Sequence, residues 1–104
     1  MDKIERGLTL IGLTNLEAKV YLKLIKLKQA KVSKIAKETN VTRTQLYPLL
    51  EKLVEKGVIE KIENKITIYK VLETEKLVSL LNKWKNEQLT ILKELELMIK
   101  KIKE

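Results

Sequence analysis

The chain has 104 residues, no cysteine and no histidine, and its Lys+Arg 22 against Asp+Glu 14 leave a net charge of +8 at neutral pH. Those absences exclude disulfide staples, thiolate chemistry, histidine general-base catalysis and the usual zinc sites, while the positive balance favours a polyanion as partner, either nucleic acid or an anionic membrane face. The length suits one small domain with an appendage; no apolar run approaches the roughly 20 residues that span a bilayer, and nothing resembles a signal peptide, so the expected location is the cytoplasm.

From Met1 to Gly12, Ile4, Leu8 and Ile11 recur at helical spacing and predict a short first helix that Gly12 ends. All three glycines read as element ends. Thr14 and Glu17 form a T-x-x-E capping box for a second helix, whose stripe is Leu16, Val20, Leu24 and Leu27, widened by Tyr21 and Ile25. Gln29 to Lys31 read as a connector. A third helix follows, with Val32, Ile35 and Ala36 inward and Ser33, Lys34 and Lys37 outward. Lysine 31 stands at its N-cap, where it is a poor capping residue. Asn40 supplies the left-handed residue that a sharp helix-to-helix turn needs, and Val41 tucks back toward the core.

Thr42 opens a fourth helix, with Gln45 in the reciprocal capping position. Leu46, Leu49, Leu50 and Leu53 point inward. Arg43, Thr44, Tyr47, Pro48 and Glu51 are left on the opposite face near the N-terminal end, the end that reaches base edges in helix-turn-helix proteins. Lys52 and Lys56 lie further along, where phosphate contact is expected. Pro48 either distorts the first turn or trims the helix start. After a glycine stop at Gly57, Val58–Glu63 and Lys65–Val71 are rich in Val, Ile, Thr and Tyr and flank a polar tip, Glu63-Asn64-Lys65, as a β-hairpin does. Lys65 on the tip and Lys61 nearby are the basic groups of this wing.

Thr74 is the expected cap of a last helix reaching about Lys103, roughly 43 Å long. In it Leu77, Leu81, Trp84, Gln88, Ile91, Leu95, Met98 and Ile102 alternate in steps of four and three, an a/d seam that so small a domain cannot cover and that a second copy would. Gln88 in the seam would fix register. The predicted fold class is therefore mainly α: an α+β winged helix-turn-helix with a two-stranded β-hairpin wing over residues 1–72, then a long C-terminal coiled-coil dimerisation helix over residues 73–104.

The runs LTNLEAKVYLKLI, VSKIAKETNVTRTQLYPLLEKLVEKGVIEKI and ITIYKVLETEKLVSLL resemble the N-terminal DNA-binding domain of the TrmB family, winged-helix transcription regulators of archaea and bacteria. The similarity covers about residues 8 to 82. It implies DNA contact by Arg43, Thr44 and Tyr47, backbone contact by Ser33 and Lys34, and a homodimer joined through the helix after the wing. Asn40 stands where glycine is usual. Larger members continue into a sugar- or effector-binding domain, so no small-molecule effector is carried over.

The expected DNA-binding set is Ser33, Lys34, Thr42, Arg43, Thr44, Gln45, Tyr47, Lys52, Lys61 and Lys65, acting on double-stranded DNA from a nucleoid-associated homodimer that regulates transcription. Carboxylates sit among lysines at i, i+3 and i+4 as surface pairs, and no Gly-rich phosphate loop or cofactor fingerprint occurs, so neither catalysis nor a cofactor or metal is expected. Two rival readings are an architectural chromatin protein with weak sequence preference and a winged-helix module that assembles proteins through its coiled coil.

Overall fold

A computed structural model describes residues 3–103. The elements in chain order are α1 (Lys3–Leu10), α2 (Asn15–Leu27), β1 (Gln29–Ala30), α3 (Val32–Thr39), α4 (Arg43–Glu55), β2 (Ile59–Glu63), β3 (Thr67–Val71) and α5 (Thr74–Lys103). They fall into two compact units, Met1–Leu72 and Glu73–Glu104. The predicted first helix begins at Met1, which lies with Asp2 outside the described residues; from Lys3 onward the helix is present.

Glycine closes two helices of the first unit in the same way. After α1 and after α4, Gly12 and Gly57 take φ +101° and +78°. Gly12 N–H donates to Thr9 O and Leu13 N–H to Leu8 O, both at 3.1 Å; Gly57 N–H donates to Val54 O at 2.9 Å and Val58 N–H to Leu53 O at 3.3 Å. Each is a Schellman closure, and the residue after each glycine, Leu13 or Val58, is buried, so the stop also aims the chain back into the core. Gly7, by contrast, lies inside α1 and ends nothing.

At the start of α2, Thr14 Oγ1 accepts from Glu17 N–H at 3.1 Å and Glu17 Oε1 accepts from Thr14 N–H at 2.8 Å, a complete capping box. The buried face of α2 is Glu17, Ala18, Val20, Tyr21 and Leu24. Leu16 and Ile25, read from spacing as part of the stripe, are about two-fifths exposed. The face is rotated toward Ala18 and Tyr21 because the capping glutamate itself points inward. Lys28 then ends α2 at φ 70°, which no residue in the connector announces. Its carbonyl accepts from Val71 N–H at 3.1 Å, next to the short strand β1. β1 pairs antiparallel with β3, Ala30 opposite Tyr69, so the connector contributes a third strand to the hairpin and the sheet order is β1-β3-β2.

The turn between α3 and α4 follows from its residues. Asn40 is left-handed (φ 58°) and its N–H bonds to Ala36 O. Buried Thr39 donates its hydroxyl to Ile35 O at 2.7 Å and accepts from Val41 N–H at 3.3 Å, so no polar group of that hydroxyl is left without a partner. Val41 is buried as predicted. Thr42 caps α4 through Gln45 N–H at 3.3 Å, but the reciprocal half of the box is missing: the amide oxygen of Gln45 takes the Thr42 hydroxyl proton instead of the backbone N–H. A neutral amide is a weaker acceptor than the carboxylate at Glu17. Pro48 lies within α4, which begins at Arg43 and so is not trimmed by it. The ring removes the N–H that Thr44 O would otherwise accept. Leu46, Leu49, Leu50 and Leu53 are all buried, with Ile35, Leu24, Val20, Ile59 and Tyr69 completing the core.

In the second unit, the first helical residue is Thr74 itself, and Leu77 N–H bonds to Glu73 O, so the cap position is Glu73 rather than the predicted Thr74. No described residue of α5 is buried.

Candidate nucleic-acid interface

In α4 the leucine face is held against the core, so the other face and the capped end must look outward. The N-terminus of α3, this outer face and the inner face of the wing enclose an open cleft of about 330 Å³, lined by Lys31, Val32, Ser33, Arg43, Tyr47, Lys61, Thr67 and Tyr69. Four of the expected residues, Ser33, Arg43, Tyr47 and Lys61, are brought together here. Arg43 is exposed and makes no ion pair among the described residues, as does Lys31. Tyr47 is 51% exposed. Lys31 occupies the N-cap of α3 with no side-chain hydrogen bond, which leaves the first N–H groups of that helix uncapped at the cleft's edge.

The other expected residues lie around this cleft or apart from it. Thr42 and Thr44 are exposed at the α4 start without lining the cleft, and Lys65 is exposed between β2 and β3. Lys34 pairs with Glu38 one turn along α3 at 3.0 Å. Gln45 and Lys52 line a separate cleft of about 300 Å³ against the start of α2, with Thr14, Leu16, Glu17, Pro48 and Leu49. Lys56, expected at phosphate, turns inward: its ammonium donates to Glu17 Oε1 at 2.7 Å and Gly12 O at 2.8 Å. Burial raises the pKa of the Glu17 carboxyl, but the Lys56 and Thr14 hydrogen bonds outweigh that and hold it below its ordinary value.

A polar group of four residues links the wing to α4. Glu51 Oε1 accepts from Lys61 Nζ at 2.9 Å and from Tyr69 Oη at 3.2 Å, and Lys61 Nζ also reaches Glu63 Oε1 at 3.0 Å. Hydrogen bonding to Glu51 and then Glu63 stabilises the Lys61 ammonium and raises its pKa, and the same lysine lowers that of Glu51. Burial pushes the Tyr69 phenol up. Strand parity explains the placement. Lys61 is two residues from buried Ile59 and directly opposite Tyr69, so it projects from the face that packs on α4. That parity was the available signal for Tyr69 and Thr67, which sequence reading passed over; Lys31 was read only as a poor cap. Among the described residues, no group of three or more acidic side chains is placed to hold a metal ion, and no helix is long and apolar enough to cross a membrane.

Comparison with known proteins matches this geometry. The chain is 31% identical over 68 residues to the HTH-type sugar sensing transcriptional regulator TrmBL1 of Pyrococcus furiosus; the match covers 65% of this chain and 20% of that protein, so the chain spans about a fifth of the length of this curated relative. Among solved structures, a possible transcriptional regulator from Methanosarcina mazei superposes with a TM-score of 0.73 at 16% identity, covering 83% of this chain and 79% of that one. TrmBL2, an archaeal chromatin protein, also superposes at 0.73, with 18% identity over 97% of this chain and 41% of that one. Likeness at such identity establishes the winged-helix fold. The family profile described as sugar-specific transcriptional regulator TrmB matches residues 8–75, a span that contains the whole cleft. With that match over more than half its length, the chain belongs to the TrmB family of transcriptional regulators.

Proposed function

We propose that this chain binds duplex DNA sequence-specifically as a homodimer and regulates transcription. The observation that carries the reading is the cleft at the N-terminus of α4, where Arg43, unpaired among the described residues, and a half-exposed Tyr47 stand beside the uncapped start of α3. An uncapped helix start offers backbone N–H groups to a phosphate, so a lysine at the N-cap is a poor choice for stability and a good one for DNA. Ser33 and Lys31 would add side-chain contacts to the same phosphate run. Arg43, Thr44 and Tyr47 would face base edges in the major groove, while Lys34, Thr42, Gln45, Lys52 and Lys65 would touch the backbone as the helix seats. An arginine bidentate to guanine contributes about 1–3 kcal/mol of discrimination.

The homodimer is supported by α5. Leu81, Ile91, Leu95, Met98 and Ile102 are all exposed, and Leu77, Trp84 and Gln88 are only part-covered, along a helix of 30 residues with a heptad seam. Residues 1–72 would read DNA and residues 73–104 would join two copies. Two recognition helices could then enter successive major grooves about 34–36 Å apart.

The test is a pair of salt titrations, one on duplexes enriched from a random pool and one on mixed-sequence duplex, with the native chain and with Arg43→Ala. The proposal expects Arg43→Ala to weaken the enriched duplex about tenfold or more and the mixed one much less. Equal losses on both would confine Arg43 to phosphate. The likeness in fold to TrmBL2, a chromatin protein, motivates a second reading, architectural binding; a ratio of affinities near one on the native chain would favour it.

A further inference from the structure

Glu51 is a carboxylate on the face that the proposed function turns toward DNA. Arg43, Tyr47 and Glu51 follow one another at intervals of four along α4, so they share one face of the helix. A negative charge there opposes phosphate. Its pairing with Lys61 also adds little to the fold, since ion pairs as open as Lys61 with Glu51 and Glu63, at 30%, 48% and 70% side-chain exposure, contribute little to stability. Of the three cations that line the cleft, Lys31, Arg43 and Lys61, only Lys61 is paired among the described residues, and it is paired twice.

Resting on the DNA reading above, we infer that Glu51, with Glu63, withholds Lys61 from the DNA backbone and so lowers the sequence-independent part of the affinity for DNA. The two carboxylates take the place that phosphate oxygens would otherwise fill around the Lys61 ammonium. Non-specific binding comes almost entirely from cations that meet phosphate and release counterions, so each cation withheld weakens binding to every sequence alike. Base contacts by Arg43 and Tyr47 are left untouched, so Glu51 sets the sequence-independent part of the affinity and its salt dependence. Tyr69, donating to the same carboxylate oxygen, keeps Glu51 turned toward the wing rather than into the groove.

The experiment is a salt titration of mixed-sequence duplex with the full chain, as native protein, Glu51→Gln/Glu63→Gln, Lys61→Met, and the triple variant. Glutamine at 51 still accepts from Tyr69, and circular dichroism and thermal melting check that each variant folds. The double variant should bind mixed-sequence duplex roughly tenfold more tightly at 0.1 M salt, with the slope of log K against log salt steeper by about 0.9, the value of one added phosphate contact. Lys61→Met should leave the native slope unchanged and should cancel the gain in the triple variant. A folded double variant whose slope is unchanged, or whose gain survives Lys61→Met, overturns the inference while leaving DNA binding intact. Absence of any salt-dependent binding by the native chain would instead overturn the DNA reading, and this inference with it.

Discussion

Two helices in this chain carry leucines at the same helical spacing and meet opposite fates. In α4, Leu46, Leu49, Leu50 and Leu53 are all buried, three of them completely. In α5, no described residue is buried, although Leu81, Ile91, Leu92, Leu95 and Met98 are as apolar and as regularly placed. Periodicity therefore says that a helix has a side to cover, and not what covers it. For α4 the cover is supplied within Met1–Leu72 by α2, α3 and the sheet, whereas α5 forms a compact unit of its own. A face of that size left to water favours association, because each large apolar side chain removed from solvent contributes about 1.5–3 kcal/mol.

The sharpest way to break the comparison is to truncate one leucine on each side of it. Leu50→Ala should cost about 2–5 kcal/mol of folding stability, read from urea unfolding, because it opens a cavity in a core that has little freedom to collapse. Leu95→Ala should leave the unfolding of the first unit unchanged and act only on association. Leu81→Asp with Leu95→Asp should go further and yield a monomer by sedimentation that still melts cooperatively and binds DNA weakly. A double variant that sediments as a dimer would move the interface away from α5.

A smaller effect sharpens the contrast between the two ends of α4. The N-terminal end leaves Arg43 without an ion pair among the described residues, but the C-terminal end ties Lys56 to Glu17 and to Gly12 O. Lys56→Met should cost about 1–3 kcal/mol, because the Glu17 side chain is nearly inaccessible and would lose its charged partner. The pH dependence has a definite sign. The folded pKa of Glu17 lies below its ordinary 4.5, so its contribution is complete above that value and drains away as pH falls through the folded pKa. The stability gap between native protein and Lys56→Met should therefore narrow on acidification below about pH 4.5 in urea titrations.

The smallest effects separate the two caps. Thr14→Ala removes a reciprocal box and should cost about 1 kcal/mol; Thr42→Ala removes one bond to the backbone and an exposed contact with the Gln45 amide, both at 3.3 Å, and should cost about half of that, measured by thermal melting.

Much of the fold could be read from the sequence because its punctuation is local. Asn40, Gly12, Gly57 and the Thr14-Glu17 box each act through their own backbone, and each sits where its chemistry predicts. The misses share a cause as well. Gln29-Ala30 is a strand only because β3 lies beside it, and Lys56 turns inward only because Glu17, distant in sequence, waits there. In the cleft, Ser33, Arg43 and Tyr47 were visible from helix phase, whereas Tyr69, Thr67 and the clasp on Lys61 depend on how the wing folds over α4. Helical phase is written in consecutive residues; the meeting of two elements is not.

The most direct test of the central claim is backbone amide chemical-shift mapping of the full chain titrated with duplex DNA. The account predicts that the largest changes fall on residues 31–34 at the start of α3, on 42–47 at the start of α4 and on the wing around Lys65, with the buried leucine face of α4 nearly still. Changes centred on α1 and α2, with the α3 and α4 starts unmoved, would contradict it.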